Sequence, residues 1–478
     1  AGDDYFNKTS KFSDEYVKEE LNYVAKKAAS VDVGLLTIAD NNFCMIPRDA
    51  TTSKVIHDLQ QKYGYPSHIS LSTGKNSHER ILKATQLIGT TAPITLAFQS
   101  FNETVLKNIK RDNIRLDDFK AISNELNKDG RRQYSELIMP LPGETKESIM
   151  DCIDKLVNIN AIPLHCHTLG ILHGTPYQDD AKFLKQYEYT TKFRMAVKAY
   201  SKIENDYIFD VEKVGVATKD FSFNDYLEVR KYLFLVDLCC NSKVLQPLYR
   251  YLSQKEFEIS KLLKKLFESL DALPSNLKAV FESFIQETSG ELWDSEQSLV
   301  THYSDQENYR MLESGERGGN VLLRHRVWVI SKFPENWINF IFLSVHELLK
   351  NIIASDHSVK NELEALQSFM VGLNYKGYSL DGLDKTLIKQ FNYDILSWMK
   401  GTKNSMLRNF ATTKAITYKF YFDENEKRNQ LDGFKRYGTN VGGICKQLQR
   451  RGSMSPRSVA IKEEIIKSNG SKKRTSKV

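Results

Sequence analysis

Hydrophobic positions in the first third of the chain alternate between helical spacing and short β-branched runs. From Ser13 to about Lys27, Val17, Leu21, Val24 and Ala25 recur at helical spacing, with Ser13 placed as an N-cap. Runs suited to buried strands follow at Val33–Ile38, His68–Leu71, Ile94–Phe98, Ser135–Met139 and Ile162–Leu169. Amphipathic stretches near 50–62, 77–88, 115–128 and 145–158 separate them. That rhythm predicts a parallel sheet with crossover helices. A leading helix with no strand before it implies a sixth strand upstream, so the expected class is α/β, a partial (β/α)6 TIM-type barrel lacking its first strand.

After Pro176 the pattern changes. A helix is predicted near 181–196, then an extended run at Tyr207–Ala217 and a helix capped by Ser222. Residues 236–410 read as amphipathic helices, including Lys255–Ser269, Asn276–Gln286, Trp337–Ala354 and Ser358–Gly372. A late strand, Ala415–Phe422, precedes two short helices. The predicted division is a barrel at 1–176, an extension at 177–235, a mainly helical C-terminal domain at 236–450 and a basic disordered tail at 451–478.

Composition narrows the class. With 41% apolar and 11% aromatic residues, 478 residues can build two or three cores. The run Trp337–Leu349 is broken by Asn339, Ser344, His346 and Glu347, so no membrane span is expected. The opening AGDDYFNKTSKF lacks a signal peptide's basic and apolar regions. Six scattered cysteines, none in CxxC or CxxxCxxC spacing, fit a reducing, cytoplasmic setting. Of the net charge of +7, residues 451–478 hold +6, so the body offers nucleic acid no broad basic face.

Ligands of parallel β/α folds gather at the carboxyl ends of strands. Those ends read Asp40, Asn41 and Asn42 in TIADNNFCMIPRD; Thr73, Lys75 and Asn76 in STGKN; then AFQSFNETVLKNIKR, SELIMPLPGET and HTLGILHGTPY. Turn-forming and capping would account for any one of these alone. Five in succession point to a ligand site.

It is on these residues that the chain resembles the radical S-adenosylmethionine (SAM) enzymes, specifically those associated with a cobalamin-binding domain. QSFNETVLKNIKR followed by ELIMPLPGETKESI is similar to their fourth and fifth strand regions, and IADNNFCMIPRD to their second-strand motif. The likeness runs on through STGKN, LHGTPY and TKFRMAVKAY to TKDFSFNDYLEVRKY, about residues 1–235. It implies SAM as cofactor, a [4Fe–4S] cluster, cobalamin through an upstream domain, an electron-donor protein and an unidentified small-molecule substrate. It also implies SAM contacts. Arg111, twelve residues after Gln99, would clamp the carboxylate; Gln99 and Ser100 would lie by the methionyl end, and Asp40 would accept from the ammonium. Glu136 would take the ribose hydroxyls, with Met139 and Leu141 as an apolar shelf for adenine.

Two departures stand out. Pro140 occupies a position where the family usually has glycine, and the CxxxCxxC motif that would hold the cluster is missing. In relatives that motif lies just ahead of a segment like AGDDYFNK, so a start downstream of it is expected, and with it an inactive chain. His165, Cys166 and His167, with His173 nearby, suggest a metal. Strand alternation, however, turns Cys166 away from the two histidines, which favours an ordinary strand or a cavity wall. The alternative function is a catalytically silent (β/α) protein that binds a nucleotide or a partner. A weaker one is an RNA-modifying enzyme that depends on the basic tail.

Overall fold

The computed structural model describes residues 11–451 and 456–461, apart from 32, 41, 73–77, 93, 112–116, 118, 119, 121, 122, 124–132, 180, 242 and 403. The chain forms two compact units. One comprises Ala1–Leu141 with Ile159–His167, the other Pro142–Asn158 with Thr168–Val478.

In the first unit the helix Asp14–Ser30 starts as expected, Ser13 accepting from the Tyr16 amide at 3.1 Å. Its buried Ala25 and Ala28 pack with Leu59 and Tyr65 around the helix Arg48–Tyr63. The strands follow in the predicted order: β1 (Leu35–Thr37), β2 (His68–Ser70), β3 (Ile94–Gln99), β4 (Gln133–Met139) and β5 (Leu164–Thr168). β1 and β2 run parallel, as do β3 and β4, and β4 lies between β3 and β5. Among the described residues no ladder joins β2 to β3, so the strands form a pair and a triplet rather than one continuous barrel wall. β1 and β2 have only three residues each, too few to carry a long ladder. The helix expected near 115–128, and Asn41, Thr73, Lys75 and Asn76, lie largely or wholly outside the described residues.

The second unit is mainly helical and corrects the sequence reading in several places. Only Ala181–Gln186 of the helix expected at 181–196 is helical. The rest enters β6 (Thr190–Ile203), which pairs antiparallel with β7 (Asp206–Ala217) across a two-residue turn with Glu204 at φ 55°. TTKFRMAVKAY satisfies either period locally, and pairing with β7 decides between them. Ser222 caps Phe223–Cys240 in a full capping box with Asp225. Two further strands escaped the sequence reading. β8 (Leu387–Tyr393) and β10 (Ser458–Ile461) flank β9 (Ala411–Tyr421) in an antiparallel sheet. Residues 456–461, assigned to the disordered tail by their charge, are thus ordered, and Arg457 is only 2% exposed.

The helix Lys146–Asn158 belongs to this unit and is anchored by polar contacts. Asp154, 5% exposed, accepts from the Tyr232 hydroxyl at 2.5 Å and faces Lys264 Nζ at 2.7 Å. Asn158 bonds both the amide and the hydroxyl of Ser260. Asp154→Ala is expected to cost about 2 kcal/mol, because it leaves the buried Tyr232 hydroxyl without its acceptor. Amide exchange along 146–158 should rise selectively; uniform protection would show the anchor to be dispensable.

Candidate functional site

The candidate site is built on β3, β4 and β5. Alternation along β4 buries Ser135, Leu137 and Met139 and leaves Tyr134, Glu136 and Ile138 half-buried. β5 presents His165 and His167 as exposed and Cys166 as intermediate. Glu136 and His167 meet, Oε1 to Nε2, at 3.6 Å, and the His165 ring stands edge-on to Tyr134 at 6.0 Å between centroids. The two histidines therefore share one face, with Cys166 turned from it, and among the described residues no group of three His, Cys, Asp or Glu is placed to hold a metal. None of the six cysteines is in a disulfide, and Cys166 alone is not buried.

At the end of β3 the backbone departs from the ladder. Ala97 pairs with Glu136, but Gln99 pairs with Leu137, leaving Phe98 as an extra residue. Gln99 then takes φ 68° while the Ser100 amide donates to the Phe98 carbonyl at 2.8 Å. This i to i+2 bond around a residue with positive φ is a tight γ-turn, a strained arrangement for a side chain other than glycine. Gln99 is 8% exposed and Ser100 fully buried. The Ser100 hydroxyl accepts from the Asn102 amide at 3.1 Å, and Asn102 in turn caps Glu103–Asn108 through Thr104 and Val105. Ser100 thus has a structural task. Gln99 is the residue that holds the strain, and strained residues of this kind cluster at ligand sites.

The remaining candidates are spread around this centre. Arg111 is exposed just after Glu103–Asn108, its amide donating to the Leu106 carbonyl at 3.0 Å. Asp40 is exposed beyond β1 and accepts from the Asn42 amide at 2.8 Å, an Asx turn that by itself accounts for an aspartate there. Beside it Cys44 is fully buried at φ 74°, its thiol pushed up to about 12 by burial and by the carboxylates of Asp49 and Asp40. Met139 and Leu141 are 0 and 2% exposed, and Met139 lies on the strand face opposite Glu136.

The structure therefore brings together Glu136, His167 and the Gln99 turn on adjoining strands. His167 was missed as a neighbour of Glu136. Two half-exposed polar positions at matched parity on neighbouring strands are the signal that could have found it.

Over 185 residues the chain is 32% identical to the cobalamin-dependent radical SAM methyltransferase TokK of Streptomyces tokunonensis, covering 37% of this chain and 26% of that protein. Over 179 residues it is 30% identical to the 2-(S-pantetheinyl)-carbapenam-3-carboxylate methyltransferase of Streptantibioticus cattleyicolor, covering 36% and 25%. The matches span about a quarter of the length of these curated relatives. No family model matches the chain.

Proposed function

We propose that this chain contributes the SAM-binding strands of a radical SAM methyltransferase, arranged as part of a (β/α)6 barrel. The likeness to two methyltransferases supports the class. The observation that carries the site is the strained turn at Gln99, one strand away from the Glu136–His167 pair on the accessible face of the same sheet.

SAM offers a ribose diol, a carboxylate, an ammonium and an adenine. Glu136 supplies two acceptor oxygens for the diol, with His167 Nε2 standing 3.6 Å from that carboxylate. The fork of Arg111 suits the SAM carboxylate, and Asp40 and Gln99 the methionyl end, with Ser100 holding the turn. Met139 and Leu141 are buried, so in this reading the adenine meets the backbone of 139–141 while those side chains support it from behind.

A [4Fe–4S] cluster needs three thiolates converging on it. Among the described residues, which include all six cysteines, no three such ligands converge. The chain's own part in the reaction is to bind SAM, orient it and exclude water. The cluster, cobalamin, the electron donor and the methyl-accepting substrate would have to be met by other parts of the assembly.

Titration calorimetry of the 478-residue chain with SAM and with adenosine tests this. Glu136→Ala should weaken both ligands by about 10- to 100-fold, the effect of losing hydrogen bonds to a charged group. Arg111→Ala should weaken SAM alone, since adenosine has no carboxylate. Absence of saturable SAM binding, or binding indifferent to both substitutions, would overturn the proposal.

A further inference from the structure

The second unit contains a cavity of about 50 Å³ lined by Arg326, Trp337 and Arg457 together with Ile330, Ile338 and Leu373. The first three are 6, 4 and 2% exposed. Arg326 Nε and Trp337 Nε1 are buried without a hydrogen-bond partner. A buried N–H favours an acceptor, and an acceptor bound in this cavity would stand beside both of these.

The local charge points the same way. Arg326 faces Asp237 at 3.5 Å, and Asp237 also accepts from Asn241 at 2.8 Å. Arg457 gives one N–H each from Nε, Nη1 and Nη2 to the carbonyls of Tyr375, Lys385 and Gly382. Of the five donors of a guanidinium, two are then left over. Its other neighbours are the rings of Phe422 and Tyr375, at 4.4 and 5.5 Å. Among the described residues no carboxylate lies within ion-pair distance of it. Of these two buried guanidinium groups only Arg326 faces a carboxylate, so among the described residues the lining of the cavity is short of one negative charge.

We propose that this cavity binds a small monocarboxylate with a short alkyl chain, its oxygens accepting from the Arg326, Trp337 and Arg457 donors and its chain lying on Ile330, Ile338 and Leu373. One negative charge neutralises the pair of arginines, whereas a phosphate dianion would leave an excess. Size sets the length of the chain. A single water needs roughly 10–15 Å³ and a benzene-binding cavity is about 150 Å³, so acids of about two to four carbons fit.

Propionate is the probe. Calorimetry and thermal melting of the 478-residue chain should show saturable binding, with a Kd on the order of 1 mM for a ligand of about five heavy atoms. Sodium chloride at equal ionic strength and 1-propanol should give no comparable shift. Trp337→Phe keeps an aromatic ring, though a smaller one, but loses the N–H, and should weaken propionate about tenfold. Leu373→Phe should fill the cavity and abolish binding, its own melting transition showing whether it folds; if it does not, Trp337→Phe decides. No saturable binding by the parent chain, propanol binding as tightly as propionate, or full affinity in the folded variants would each overturn the assignment.

Discussion

Arg457→Ala is expected to destabilise the second unit by about 3 kcal/mol, because it strips three backbone carbonyls, one buried and two part-buried, of their donors at once. Those carbonyls, of Tyr375, Gly382 and Lys385, receive bonds of 2.6–2.8 Å from one guanidinium that is 2% exposed. The same group stacks on Phe422, and the Arg457 amide donates to the Leu373 carbonyl at 3.0 Å, fastening β10 beside β9. Arg457→Lys should recover little, since an ammonium on a flexible stem cannot serve three diverging acceptors in one plane. Urea unfolding followed by tryptophan fluorescence reports the loss, Trp337 and Trp398 both lying in this unit. A shift below about 0.5 kcal/mol, the range of ordinary surface substitutions, would mean that water replaces the guanidinium.

Acidification should destabilise the same unit through His325. This residue is fully buried among Phe234, Phe284 and Trp328. Its Nδ1 donates to the Val321 carbonyl at 2.8 Å, so in the neutral ring Nε2 accepts from Ser283 Oγ at 3.1 Å. Burial pushes its pKa down to about 4 from 6.5, the Val321 bond opposing and the Arg324 charge adding to the shift. Between those values the unfolded chain carries a proton that the folded chain does not, so stability rises with pH there. The contribution is whole above pH 6.5, falls by about 2 kcal/mol near pH 5, and is lost by about 3 kcal/mol below pH 4. His325→Leu should flatten that slope between pH 4 and 6.5, as read from urea midpoints across the range. A slope identical to that of the parent chain would assign the acid sensitivity to other groups.

Features read correctly from the sequence were those set by neighbours along the chain. Ser13 and Ser222 cap helices through amides three residues away, and the five strands of the first unit fall in their predicted order. The alternation that separated Cys166 from His165 and His167 is likewise local. Pairing partners distant in sequence were beyond such reading. β8, with Lys389, Gln390 and Asn392 among its apolar residues, looks like a polar surface segment until β9 lies beside it.

For the candidate site, it is the resemblance to radical SAM enzymes that points to Gln99 and Glu136. The sequence could not show the positive φ at Gln99, the extra residue at Phe98, or His167 next to Glu136, because each arises from the register between strands. The resemblance assigns Met139 and Leu141 to an apolar shelf, and their burial follows from which strand face meets the core.

By itself the sequence determined the helix starts at Ser13 and Ser222 and the order of the first five strands, because caps, turns and hydrophobic period act within a few residues. It also carried the likeness to SAM-dependent methyltransferases. Tertiary structure alone decided the fate of Arg457. Its charge places it in a solvated tail, yet its acceptors stand 72 to 82 residues earlier, and only folding brings those carbonyls into one plane around it. A buried charge holds its position through partners that lie far apart in the chain, and no local pattern encodes them.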